Sequence, residues 1–159
     1  MPEDDGLLPW VTVRDAISAL AVPSDEEYAI TRCGAVPNHW SIPGAKRYDG
    51  HNGSDMDWPS KTIKAGVHGV PGGENTVRAG HAFRYYTLRE SALIQTFPAD
   101  YAFTGARIHV TRQIGNAVPP LLARTVATRV LSSIAALPSE QGIRSPATVG
   151  RQGRKEHAA

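Results

Sequence analysis

Across residues 28–82 a glycine or proline interrupts the chain every few positions, and no apolar pattern of period 3.6 is sustained. Glycine loses the most conformational freedom on ordering and proline removes a backbone donor, so this stretch cannot form a long helix. What remains open to it is a loop-rich region with short β-prone pieces, expected at 28–31, 61–64 and 75–77. A chain of 159 residues with 41% apolar and 20% charged residues is one domain's worth of soluble globular protein.

Helical signals flank this region. Thr12-Val13-Arg14-Asp15 places a hydroxyl three residues ahead of a carboxylate, a capping box before Ala16, Ile17, Ala19 and Leu20, which predicts a helix within 11–22 that stops before Pro23. Thr87-Leu88-Arg89-Glu90 repeats the device ahead of Ala92, Leu93 and Ile94, with Pro98 as the stop. A third helix is expected to begin at Pro119-Pro120 and to carry Leu122, Val126, Val130 and Ile134 on one stripe. That stripe has to bury against something. Residues 1–10 read as a solvated leader and 137–159 as a disordered basic tail.

Charge is unevenly spread. Residues 28–130 hold 12 Lys+Arg against 6 Asp+Glu, whereas 1–27 hold 1 against 7. A basic middle suits a polyanionic partner, because cations on phosphates supply most sequence-independent affinity for DNA. No apolar run approaches the roughly 20 residues of a membrane span and no signal segment opens the chain, so a cytoplasmic protein without a membrane partner is expected. Cys33 is the only cysteine, which precludes an internal disulfide and a thiolate-rich metal site within one chain. His39, His51, His68, His81 and His109 lack metal-ligand spacing and read as surface or loop histidines, so no metal is proposed.

Three segments in order resemble the bacterial DNA (cytosine-5) methyltransferases. Trp58-Pro59-Ser60-Lys61-Thr62-Ile63-Lys64-Ala65-Gly66-Val67-His68-Gly69 is similar to the Pro-Ser-x-Thr-Ile stretch of that family's target-recognition region. Thr87-Leu88-Arg89-Glu90-Ser91-Ala92-Leu93-Ile94-Gln95-Thr96-Phe97-Pro98-Ala99-Asp100-Tyr101-Ala102-Phe103 resembles the ninth family motif, and Arg112-Gln113-Ile114-Gly115-Asn116-Ala117-Val118-Pro119-Pro120 the tenth. The departures carry equal weight. The Gly-rich first motif, the Pro-Cys nucleophile and the Gln-x-Arg-x-Arg motif are missing; Cys33 lies between Arg32 and Gly34, and Glu74-Asn75 is followed by Thr76 where the family has valine.

The resemblance therefore implies the C-terminal part of such an enzyme, with no catalytic residue of its own and no activity alone. Its fold would be α+β: a small irregular recognition region with short strands at 23–86, then a segment at 87–136 holding both motifs, with flanking helices packed on a missing doubly wound cofactor lobe. Its partners would be duplex DNA and a catalytic methyltransferase chain. Lys61, Thr62, Ile63, Lys64, Arg78, Arg84 and Arg89 are the expected DNA-binding residues, with Arg89 also expected to organise neighbouring loops. Gly115, Asn116 and Ala117 are expected to close over S-adenosyl-L-methionine shared with the catalytic lobe. Phe97, Tyr101 and Phe103 are expected to be packing aromatics. A truncated inactive remnant, or a DNA-binding module without chemistry, stays open beside the split-enzyme reading.

Overall fold

A computed structural model describes residues 9–23, 30–47, 49–50, 52–65, 75–79 and 82–136; the tail expected at 137–159 and most of the leader lie outside them. The fold is mixed α and β. In chain order the elements are α1 (Val13–Ile17), β1 (Ser54–Asp55), β2 (Thr76–Ala79), β3 (Ala82–Tyr85), α2 (Leu88–Ile94), α3 (Arg107–Asn116) and α4 (Pro120–Ala135). The strands form one sheet in the order β1-β2-β3, β1 parallel and β3 antiparallel to β2.

Both capping boxes are present with reciprocal hydrogen bonds, Thr12 with Asp15 and Thr87 with Glu90. They explain why two helices of only five and seven residues persist: a helix this short is unstable alone and depends on its caps and its buried face. The first amides of α1 are satisfied from outside as well, Val13 N–H donating to the Trp58 carbonyl at 3.0 Å and Arg14 N–H to that of Met56 at 2.8 Å. Val13 and Ile17 then bury against Ile63, Val77, Tyr86, Ala92, Phe103, Val110 and Ile114, a core to which α1, β2, α2, α3 and the segments beside them contribute and α4 does not.

Three sequence expectations need correction. The 61–64 piece is irregular, not a strand, and the amides at its two ends, Lys61 and Lys64, are taken up by side chains. A helix not foreseen, α3, begins between the two motifs, runs into the tenth and buries Val110, Thr111 and Ile114. His39 does lie in an irregular segment, but it is fully buried there and not at the surface. No helix of the described residues is long and apolar enough to cross a membrane.

Candidate nucleic-acid interface

The segment that leads into Thr62 is held by short-range polar contacts in place of a ladder. Gly53 opens it at φ +69°, where an added Cβ would meet Phe83 and Thr76 at 2.9 Å. The Asp55 carboxylate then accepts from the Asp57 N–H at 3.1 Å, turning the chain, and the Ser54 hydroxyl accepts from Lys61 N–H at 3.0 Å. One residue beyond Ile63, the Asn75 amide clamps both backbone polar groups of a single residue, accepting from Lys64 N–H at 2.9 Å and donating to the Lys64 carbonyl at 3.0 Å. Buried Tyr86 abuts Ser60 at 3.3 Å, and burial holds its phenol neutral, above the usual range.

These anchors decide which side chains face out. Lys61, Thr62 and Lys64 are exposed, while Ile63 is in the core. Ile63 is therefore the loop's anchor in the core. Arg78 is open on β2, beside Asp55.

Arg84 and Arg89, by contrast, are spoken for inside the protein. Arg84 forms a two-pronged pair with Glu90, both contacts at 2.7 Å, with the side chains only 14% and 1% exposed. Glu90 also accepts from Thr87 N–H at 2.8 Å, so one carboxylate caps α2 and binds it to β3. The Arg89 guanidinium donates to the carbonyls of Pro37, Ala99 and Tyr101 at 3.0–3.1 Å, tying α2 to two loops. Burial pulls its pKa below the ordinary arginine value, and the nearby Asp100 opposes that. Both arginines hold other groups in place here.

His39 is the functional-region residue that the sequence reading missed. Its Nε2 faces the Ala21 carbonyl at 2.7 Å and its Nδ1 the Thr87 hydroxyl at 2.9 Å. A carbonyl only accepts, which assigns the ring proton to Nε2, and Thr87 then donates to Nδ1 while accepting from Glu90 N–H at 3.1 Å. Every polar atom of that buried chain is matched. Asn38 beside it, at φ +61°, was the available signal of a constrained turn, since few residues but Asn and Gly adopt that conformation.

The two motifs meet at the joint between α3 and α4. Gln95 donates to the Ile114 carbonyl at 3.3 Å, and the Thr96 hydroxyl, held out by φ +63°, accepts from Leu121 N–H at 3.1 Å in the first turn of α4. Gly115 lies against the loop that carries Thr62: a Cβ there would sit 2.5 Å from the Ala65 nitrogen. Asn116 is exposed and Ala117 half-buried. Phe97, Tyr101 and Phe103 pack together with centroids 4.8–5.1 Å apart, as expected of structural aromatics. From this joint α4 projects with no buried residue, exposing Val118, Leu122, Val126, Val130 and Ile134.

Comparison with known proteins gives a consistent result. The profile of C-5 cytosine-specific DNA methylases matches residues 26–132. The chain is similar to the type II methyltransferase M.SacI of Streptomyces achromogenes, 28% identical over 173 aligned positions that take in 94% of this chain and 44% of that protein. It is also similar to M1.HphI of Haemophilus parahaemolyticus, 52% identical over 48 positions (30% of this chain, 13% of the relative), and to M.AquIB of a Picosynechococcus species, 50% identical over 58 positions (30% and 42%). The chain thus spans less than half the length of each of these relatives.

Proposed function

Because this chain belongs to the C-5 cytosine-specific DNA methylase family, we propose that it is the target-recognition part, or subunit, of a DNA (cytosine-5) methyltransferase and works only beside a lobe that carries the cofactor and nucleophile motifs. The observation that carries this reading is the pairing of a braced loop with a helix that, among the described residues, buries none of its apolar stripe. None of the sixteen residues of α4 is buried, and the apolar stripe of the helix is the kind of exposed patch that marks an interface. Thr125, Thr128, Ser132 and Ser133 hydrogen-bond to their own backbone four residues back, which lessens their demand for water. Support for a separate chain comes from the Picosynechococcus relative: 58 positions make up 42% of it, so that protein is itself shorter than this one.

In this reading the division of labour is physical. A base must leave the duplex to reach a catalytic pocket, and a second surface must hold the duplex meanwhile. Lys61, Thr62, Lys64 and Arg78 form that surface, on a loop stiffened by Asn75 and Ile63. Gly115 ties the loop to the joint, so recognition and docking move as one body. S-adenosyl-L-methionine supplies the methyl group. Of the three residues expected near it, Gly115 is occupied by Ala65, leaving the exposed Asn116 amide and Ala117 to fit it as one edge of a site completed by the other lobe.

The docking half is tested by association with a lobe carrying the cofactor and Pro-Cys motifs. Val126→Ala and Val130→Ala each remove two methyl groups at about 0.8 kcal/mol apiece, so each is expected to weaken association about tenfold without altering the chain's own stability. Association unchanged in the double variant would place the interface elsewhere.

A further inference from the structure

We infer that Arg78, held by Asp55, is a specificity-determining residue that reads a guanine in the major groove; this rests on the recognition reading above. The two residues are register partners on parallel β1 and β2, so they rise on the same face of the sheet. Arg78 Nη2 donates to Asp55 Oδ2 at 3.3 Å, and the pair is half open, 44% and 43% exposed. The other Asp55 oxygen is fixed by the Asp57 N–H. Asp57 is in turn gripped by Arg14 of α1 at 2.7 and 3.2 Å. The carboxylate is thus anchored from behind by a turn and a helix, and it engages the guanidinium at a single nitrogen.

That arrangement separates two jobs an arginine can do on DNA. A phosphate contact works through net positive charge and counterion release, and a neighbouring carboxylate cancels that charge. Base reading works through a directed fork of N–H donors, which a carboxylate holding one edge orients without consuming. The fork matches guanine O6 and N7, and the same carboxylate can accept from the amino group of cytosine. Across the sheet, Phe83 pairs with Arg78 in register and carries the Arg47 guanidinium 5.1 Å from its ring centroid. Arg47 adds an uncancelled charge on this side, suited to steering the backbone while Arg78 reads.

The test is selection from a library of duplexes with a randomised central stretch, using the full chain with and without a catalytic lobe, followed by sequencing. Wild type is expected to enrich a motif containing a guanine. Arg78→Lys keeps the charge and loses the fork; it is expected to reduce the preference at that one position by about tenfold to a hundredfold and to leave the other positions alone. Asp55→Asn is expected to relax the same position by less. Both sites are half exposed, and circular dichroism confirms folding of each variant. A wild-type motif that both variants reproduce, or that Arg78→Lys weakens evenly at all positions, overturns the inference alone. No sequence preference in the wild type under either condition overturns the recognition reading and this inference with it.

Discussion

Replacing Glu90 by alanine is expected to cost about 3–5 kcal/mol of folding stability, the range for deleting one partner of a buried ion pair. The size follows from what is left behind. Arg84 would keep a guanidinium 14% exposed with its two 2.7 Å acceptors gone, and Thr87 N–H would lose its cap. The Thr87 hydroxyl, which receives Glu90 N–H and faces His39, is next in that chain, so loss of order is expected to spread to the 38–41 segment. Glu90→Gln keeps a cap acceptor and should cost less. Replacing both members together, Arg84→Met with Glu90→Leu, should recover most of the loss, since an apolar pair needs no counter-charge. Urea unfolding followed by circular dichroism measures all three. A loss below about 1 kcal/mol for Glu90→Ala would mean that Arg84 re-solvates easily and that the pair is not buried in solution.

Gly115→Ala is the second large effect, expected at the upper end of the roughly 1–3 kcal/mol that overpacking costs. The new methyl would fall 2.5–2.7 Å from the nitrogen, Cα and Cβ of Ala65. Two of those atoms belong to the backbone, so no rotamer change relieves the clash; either α3 or the recognition loop has to move. The consequence reaches past stability. A shift of this contact displaces Lys64 and Thr62 relative to α4, so DNA binding and docking should fall together, whereas Asn116→Ala should leave stability unchanged. Equal stability of Gly115→Ala and wild type would show that the loop does not rest on α3.

How much of this was legible in the sequence depended on range. The capping boxes at Thr12 and Thr87 involve partners three residues apart, and the proline start and apolar stripe of α4 are equally local, so all were readable. The buried surroundings of Arg84, His39 and Ile63 were not readable because they depend on partners that only folding brings near. His39 meets Ala21 and Thr87 from 18 and 48 residues away. Nothing in one sequence distinguishes such a histidine from a loop one. Ile63 sits between Thr62 and Lys64 in a motif that reads as a unit, yet the three point to opposite sides. α3 escaped notice because Ala106 offers no side-chain cap and the helix buries only Val110, Thr111 and Ile114. Gly115 was singled out for close backbone approach, which the structure shows toward Ala65; the ligand it was matched to was the cofactor.

The most direct measurement of the central claim is methyl transfer from labelled S-adenosyl-L-methionine to duplex DNA, run with this chain alone, with a lobe carrying the cofactor and Pro-Cys motifs alone, and with both. The account predicts label in DNA only in the mixture, at cytosine C5, with Val126→Ala/Val130→Ala lowering the yield at limiting concentration. Transfer by this chain alone, or by the lobe alone at the rate of the mixture, would contradict it, as would an inactive mixture in which both proteins are folded and associated.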